Sequence, residues 1–200
     1  MFCLTFKQLF PSACKNSRRS AFTLVELLVV IAIIEVMAAI ITPSAFKAVE
    51  KAKISRVVAD VRAIKAAGYA YYADTGDWPK AGQDSYDPGS GDDYGFRYFM
   101  ETDGSSGWNG PYLEKPPGAT PWGGRYRYWK SVISGTVYDA AGNSTAVNNT
   151  KCAVVTIGGF PDRGIRDAVD RRIRESVGYS YVGEENGTYY ISVIIWMEGL

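Results

Sequence analysis

A nearly continuous apolar run from Phe22 to Ile41 stands directly behind a basic segment, and no other stretch restricts the fold so much. Met1 to Ala21 carries Lys7, Lys15, Arg18 and Arg19 and no acidic residue. The run that follows has the roughly 20 residues a helix needs to cross a bilayer. A basic flank and an apolar run also suit an ordinary secretory signal, cut after the run near Ala38 or Ala45. Two features weigh against that reading. Glu26 places a carboxylate in the first turns of the run, at a cost of about 2.5–3.5 kcal/mol if it stays unpaired at membrane depth. The run also does not end in a loop. Phe46, Val49, Ile54, Val57, Val61, Ile64, Gly68 and Tyr71 recur at helical spacing, with Lys47, Glu50, Lys51, Lys53, Arg56, Asp60 and Lys65 on the other side. The pattern predicts one long helix from Phe22 to about Tyr72, its first half suited to lipid and its second half to a folded head.

Composition restricts the chemistry. The 200 residues suffice for one domain with a tail, and 46% hydrophobic with 22% charged residues is the balance of a globular unit. A net charge of +1 gives no reason to expect nucleic-acid binding. The 14 tyrosines and 5 tryptophans point to a small sheet with a ring-filled core. The chain has no histidine, which removes the commonest general base, metal ligand and pH switch. With no nucleophile motif and no metal-ligand cluster, no enzyme and no catalytic residue is expected. Of the cysteines Cys3, Cys14 and Cys152, only the last lies in the head. It reads first as a buried core thiol beside Ala153 and Val154, and second as a cross-link between subunits.

Ser20-Ala21-Phe22-Thr23-Leu24-Val25-Glu26-Leu27 resembles the processing motif of type IV prepilins and type II secretion pseudopilins. The resemblance implies that a membrane peptidase cuts between Ala21 and Phe22 and methylates the new terminus at Phe22. It makes Glu26 the assembly carboxylate, which pairs with the amino terminus of a neighbouring subunit and sets the stagger of the helices. Removal of the leader takes Cys3 and Cys14 with it. The chain departs from the family in Ala21, where Gly is usual, and in Glu35, where a small residue is common. Glu35 follows Glu26 by nine residues, on the opposite helix face at about 100° per residue. Two readings of this second intramembrane carboxylate stand level: it pairs with a Lys of an adjacent subunit, or it is protonated and tolerated. Pro43 removes a backbone donor within the helix. In the family such a Pro marks a segment that loses helicity in the filament; in an isolated subunit it implies a mild kink.

Beyond Tyr72, Thr75-Gly76-Asp77-Trp78-Pro79 stops the helix. Lys80 to Gly110 reads as an irregular connection anchored by Tyr94, Phe96, Tyr98 and Phe99, with a short helix around Tyr94 to Glu101. Gly110-Pro111-Tyr112-Leu113 and Pro121-Trp122-Gly123, leading to a strand through Tyr128, resemble the major pseudopilin of type II secretion. That family binds calcium in a loop after this strand. Here Ser134 to Thr150 offers Asp139 with Asn143, Asn148 and Asn149, a thin set for a cation taking 6–8 oxygens, so calcium is not predicted. Cys152 to Ile157 reads as a buried strand broken at Gly158-Gly159-Phe160-Pro161. Asp162 to Glu175 reads as a helix with Ile165, Val169 and Ile173 on one face. Arg163, Arg166, Arg171, Arg172 and Arg174 form its basic cluster, read as a solvated face paired with Asp162, Asp167, Asp170 and Glu175, and second as a contact with another subunit or an anionic partner. Tyr179 to Val182 and Thr188 to Trp196 make a closing hairpin.

The fold expected is α+β: a long N-terminal helix packed on a small antiparallel head sheet with an added C-terminal helix and hairpin. The divisions are 1–21, cleaved leader; 22–43, transmembrane and assembly half of the helix; 44–74, amphipathic half; and 75–200, extracytoplasmic head. The resemblance implies a single-pass protein of the inner membrane that forms a helical homo-oligomeric filament. Its implied partners are the prepilin peptidase/methyltransferase, an assembly ATPase, an inner-membrane platform and minor (pseudo)pilins. Type II secretion is the first expectation, a type IV pilus for adhesion, motility or DNA uptake the second, and a membrane-anchored binding protein a remote third.

Overall fold

The computed structural model describes residues 22–81 and 95–198. The leader with Ala21, Cys3 and Cys14, and the anchor Tyr94, lie outside the described residues. The elements in order are α1 (Leu24–Thr75), α2 (Arg97–Met100), β1 (Tyr126–Tyr138), β2 (Ser144–Phe160), α3 (Arg163–Val177), β3 (Ser180–Glu185) and β4 (Thr188–Met197). The fold class is α+β. The chain divides into two compact units, Met1–Phe46 and Lys47–Leu200.

The predicted long helix is present, and Pro43 lies inside it. Its end follows from Gly76, whose φ of 77° gives the left-handed turn that closes a helix while its N–H donates to Tyr72 O at 2.8 Å. Within the second unit α1 buries Val57, Val61, Ile64, Gly68 and Tyr71, alternating by four and three, together with Val58 and Ala67. Phe46 and Val49, expected on this face, are instead 72% and 55% exposed. Periodicity continues past the point where the head stops offering a surface, so spacing alone could not find that point.

The sheet is antiparallel, in the order β1-β2-β4-β3, and a single pair, Tyr138↔Ser180, closes it into a barrel. One core brings Val57, Val61 and Ile64 of α1 and Val169 and Ile173 of α3 against Ala153, Val155 and Ile157 of β2 and Ile191 and Val193 of β4. The opposite face holds a second cluster: Cys152, Val154, Ile194 and Met197, covered by Val137 and Val147. Burial on both faces explains why Cys152 to Ile157 is apolar without alternation.

Three boundaries and the burial of one arginine differ from the sequence reading. Ser134 to Thr150, read against a calcium loop, forms the outer arms of β1 and β2, where β-branched Thr136, Val137, Thr145 and Val147 favour extension. β2 does not break at Gly158-Gly159 but runs on to Phe160 through a register shift. Gly159 adopts φ 84°, and a Cβ there would strike the backbone of Gly124, so glycine lets two chain segments touch. The short helix reduces to Arg97–Met100, with Phe96 and Phe99 buried and their rings against Tyr128. On α3, Arg166 is buried and not part of a solvated face. It donates to Asp167 Oδ1 at 2.7 Å and Gly183 O at 3.4 Å and stacks over Tyr189.

Candidate assembly site

The N-terminus of α1 is a capping box. Thr23 N–H and Thr23 Oγ1 donate to Glu26 Oε2 at 2.8 and 2.7 Å, and Glu26 N–H donates to Thr23 Oγ1 at 3.2 Å. The reciprocal pair satisfies helix N–H groups that would otherwise lack partners, and the carboxylate complements the helix dipole. Sequence reasoning gave Glu26 only an intermolecular role and missed this one, although the signal is there: Thr23-Leu24-Val25-Glu26 is a T-x-x-E capping pattern. Both bonds fall on Oε2.

Around this cap, every large apolar side chain from Phe22 to Val49 is exposed, Phe22 itself by 75%. The segment is long and apolar enough to cross a membrane, and among the described residues none covers it. Glu35 projects from it and has no hydrogen bond or ion pair among the described residues. Pro43 is accommodated without ending the helix. Thr42 Oγ1 donates to Ala38 O at 2.5 Å and Ser44 Oγ to Ile41 O at 2.8 Å, so hydroxyls on both sides of the ring serve backbone carbonyls.

Asp139 closes the β1–β2 hairpin: Asn143 N–H donates to its Oδ1 at 2.8 Å and Asn143 Nδ2 to its Oδ2 at 2.9 Å. The Asn143 side-chain bond holds its carboxyl below the usual range. Asn148 accepts from Ser134 at 3.2 Å, so these residues serve the turn and the arm. Among the described residues no three His, Cys, Asp or Glu side chains converge as metal ligands. A cleft of about 380 Å³ opens under the arm, lined by Trp129, Val132, Ile133, Val137, Val147 and Tyr181 with no carboxylate, amine or thiol. On α3, Arg174 meets buried Asp170 at 2.8 Å, Arg172 meets Glu175 at 3.0 Å and Arg163 meets Glu184 at 3.7 Å.

An exposed apolar helix of membrane-crossing length, begun by a capped carboxylate, and a small α+β head are the parts that a membrane-anchored subunit has. Comparison with known proteins agrees. Residues 16–42 match the prokaryotic N-terminal methylation motif, and residues 48–138 match the family described as PilW, C-terminal. The type II secretion system core protein G of Pseudomonas aeruginosa is 30% identical over 119 residues, covering 57% of this chain and 75% of that protein. No solved structure matches significantly. The chain belongs to the type IV pilin-like family of filament subunits.

Proposed function

We propose that this subunit is a pseudopilin that builds the periplasmic filament of a type II secretion system. The similarity to core protein G carries this reading, supported by the Gly110-Pro111-Tyr112-Leu113 and Pro121-Trp122-Gly123 elements. The PilW match favours a second reading, a subunit of a type IV pilus. In either case the peptidase removes residues 1–21 by cutting between Ala21 and Phe22, and Phe22 becomes the N-methylated terminus. Residues 22–43 stay in the inner membrane until assembly, 44–74 form the amphipathic half of the helix, and 75–200 face the extracytoplasmic side.

The Thr23–Glu26 geometry suggests how the carboxylate serves two states. Before assembly the cap holds Glu26 at the helix start. During assembly Oε1 accepts the amino terminus of a neighbour, and the ion pair fixes axial register where no water competes. Pro43 is the point at which the helix yields in the filament. An assembly ATPase, a membrane platform and minor subunits act as partners. The subunit is not an enzyme and needs no cofactor in this reading.

Mass spectrometry of membrane-extracted protein tests the processing: a methylated Phe22 terminus supports it, and a start at Met1 or beyond Ala38 ends it. Gene deletion in the host separates the two readings. Loss of secreted proteins with surface pili intact supports secretion, whereas loss of pili or twitching with secretion intact supports the pilus.

A further inference from the structure

Glu35 is the charged group of the apolar segment that the assembly reading leaves without a role. No Lys or Arg occurs from Phe22 to Phe46, and its helical neighbours three and four positions away are Ile31, Ala32, Ala38 and Ala39. No cation of its own helix can therefore pair with it in the manner of neighbouring helical side chains. A processed subunit carries two carboxylates in this segment, Glu26 and Glu35, against one amine, at Phe22. If Glu26 takes the amine, one negative charge per subunit stays unmatched, and an unmatched carboxylate among packed apolar helices is costly.

Two further observations bear on what meets it. Three of the four helical neighbours of Glu35, Ala32, Ala38 and Ala39, are small, so that a second helix can come close on the side away from Ile31. Lys47 is the first cation after the span, is exposed, and has no ion pair among the described residues. Its long stem can lie along apolar surface while its ammonium reaches toward an anion. We propose that Glu35 forms an ion pair with Lys47 of a second, axially displaced copy of this chain. Because Glu35 lies opposite Glu26 on the helix, the pair addresses a different neighbour from the one met by Glu26. Each helix then carries charge-specified contacts on two sides, and the filament lattice is fixed in two directions. The proposal rests on the filament reading above.

The test is a charge series in the full chain, scored by the amount of sheared filament from host cells. Glu35→Lys and Lys47→Glu each lower assembly by at least about tenfold, and the double variant Glu35→Lys/Lys47→Glu recovers to within about threefold of the parent. In parallel, copies bearing Glu35→Cys are co-expressed with copies bearing Lys47→Cys and oxidised in filaments, and a cross-linked dimer is expected. Single variants that assemble like the parent mean that Glu35 is merely tolerated, which overturns the proposal. Defective singles without rescue, or a cross-link from position 35 to Thr23→Cys in place of Lys47→Cys, also overturn it. A Glu26→Ala control separates the two levels. If the parent yields no filament, the filament reading itself fails; if the parent assembles and Glu26→Ala is defective while the Glu35–Lys47 pair shows no rescue, only this inference fails. Protease resistance of the head in each variant guards against misfolding.

Discussion

Lys65 on α1 donates a hydrogen bond to the carbonyl oxygen of Val177, the last residue of α3, at 2.6 Å. A half-buried ammonium thus caps the negative end of the C-terminal helix and ties it to the head half of α1. Lys65→Met keeps the stem and removes the donor, at a cost of about 1–2 kcal/mol. Urea unfolding of detergent-solubilised protein measures it. Burial holds the Lys65 ammonium below the ordinary lysine pKa, so the unfolded chain binds that proton more tightly. The parent therefore gains stability relative to Lys65→Met as pH rises through the lowered pKa toward 10.5.

Tyr126 and Tyr128 titrate with the opposite sign. Burial raises both phenols, and the bond from Tyr126 to Asp60 Oδ2 at 2.7 Å raises the first further. With folded pKa values above the unfolded one, their contribution is full below about pH 10 and is lost as pH climbs beyond it. Titration followed at the phenolate absorbance shows these two ionising only with unfolding. Tyr128→Phe, which forfeits a 2.9 Å bond to Pro79 O, costs about 1 kcal/mol at neutral pH and flattens the alkaline loss.

Asp103 governs the acid side. Burial pushes its carboxyl up, but Ser105, whose N–H donates to Oδ1 at 2.9 Å, together with the nearby Tyr71 hydroxyl and Lys80 ammonium, outweighs that and brings it down to about 2. Its side chain is 1% exposed, and Lys80 stands 3.4 Å from Oδ2. A depressed carboxylate stabilises above its unfolded pKa, so this contribution fades as pH falls from about 4 to about 2. Asp103→Asn lowers neutral-pH stability by about 1–2 kcal/mol and removes that segment of the pH–stability curve.

Asp170 accepts from Ser180 Oγ at 2.5 Å and from Arg174 at 2.8 Å, joining α3 to β3 inside the head. Asp170→Ala strands a largely buried guanidinium and costs about 3 kcal/mol, while Ser180→Ala costs about 1. The double variant falls short of their sum, and a cycle of denaturation curves reads the coupling.

Cys152 reports processing. Its side chain is buried, and burial pushes the thiol up to about 11, so native protein resists thiol reagents at neutral pH. In urea a processed chain yields one reactive thiol, whereas an unprocessed one also yields Cys3 and Cys14. Counting thiols before and after peptidase treatment measures the conversion.

Much of this structure is legible in the residues because it follows from periodicity and local chemistry. The run of α1, the cap of α3 at Asp162, whose Oδ1 takes the Ile165 N–H at 2.9 Å, and the Asn186-Gly187 turn with φ of 51° and 74° all have short-range causes. What escaped the sequence depends on partners distant in the chain. Nothing near Arg166 signals that Tyr189 and Gly183 will bury it, and nothing near Val137 signals that the outer arm will cover Cys152 and Val154. At the candidate site the prepilin motif is legible in the residues, and the T-x-x-E pattern by which Thr23 and Glu26 cap the helix lies inside it, masked by a resemblance that implies an intermolecular partner for Glu26.

The single rung between Tyr138 and Ser180 has a consequence for how such heads diversify. Beyond it the hairpin tip from Asp139 to Asn143 is held by its own turn bonds. A lineage can lengthen or redecorate that tip while leaving the scaffold's foldability untouched. If the subunits line a filament, the tip is where one system would come to feel different from another to whatever slides past.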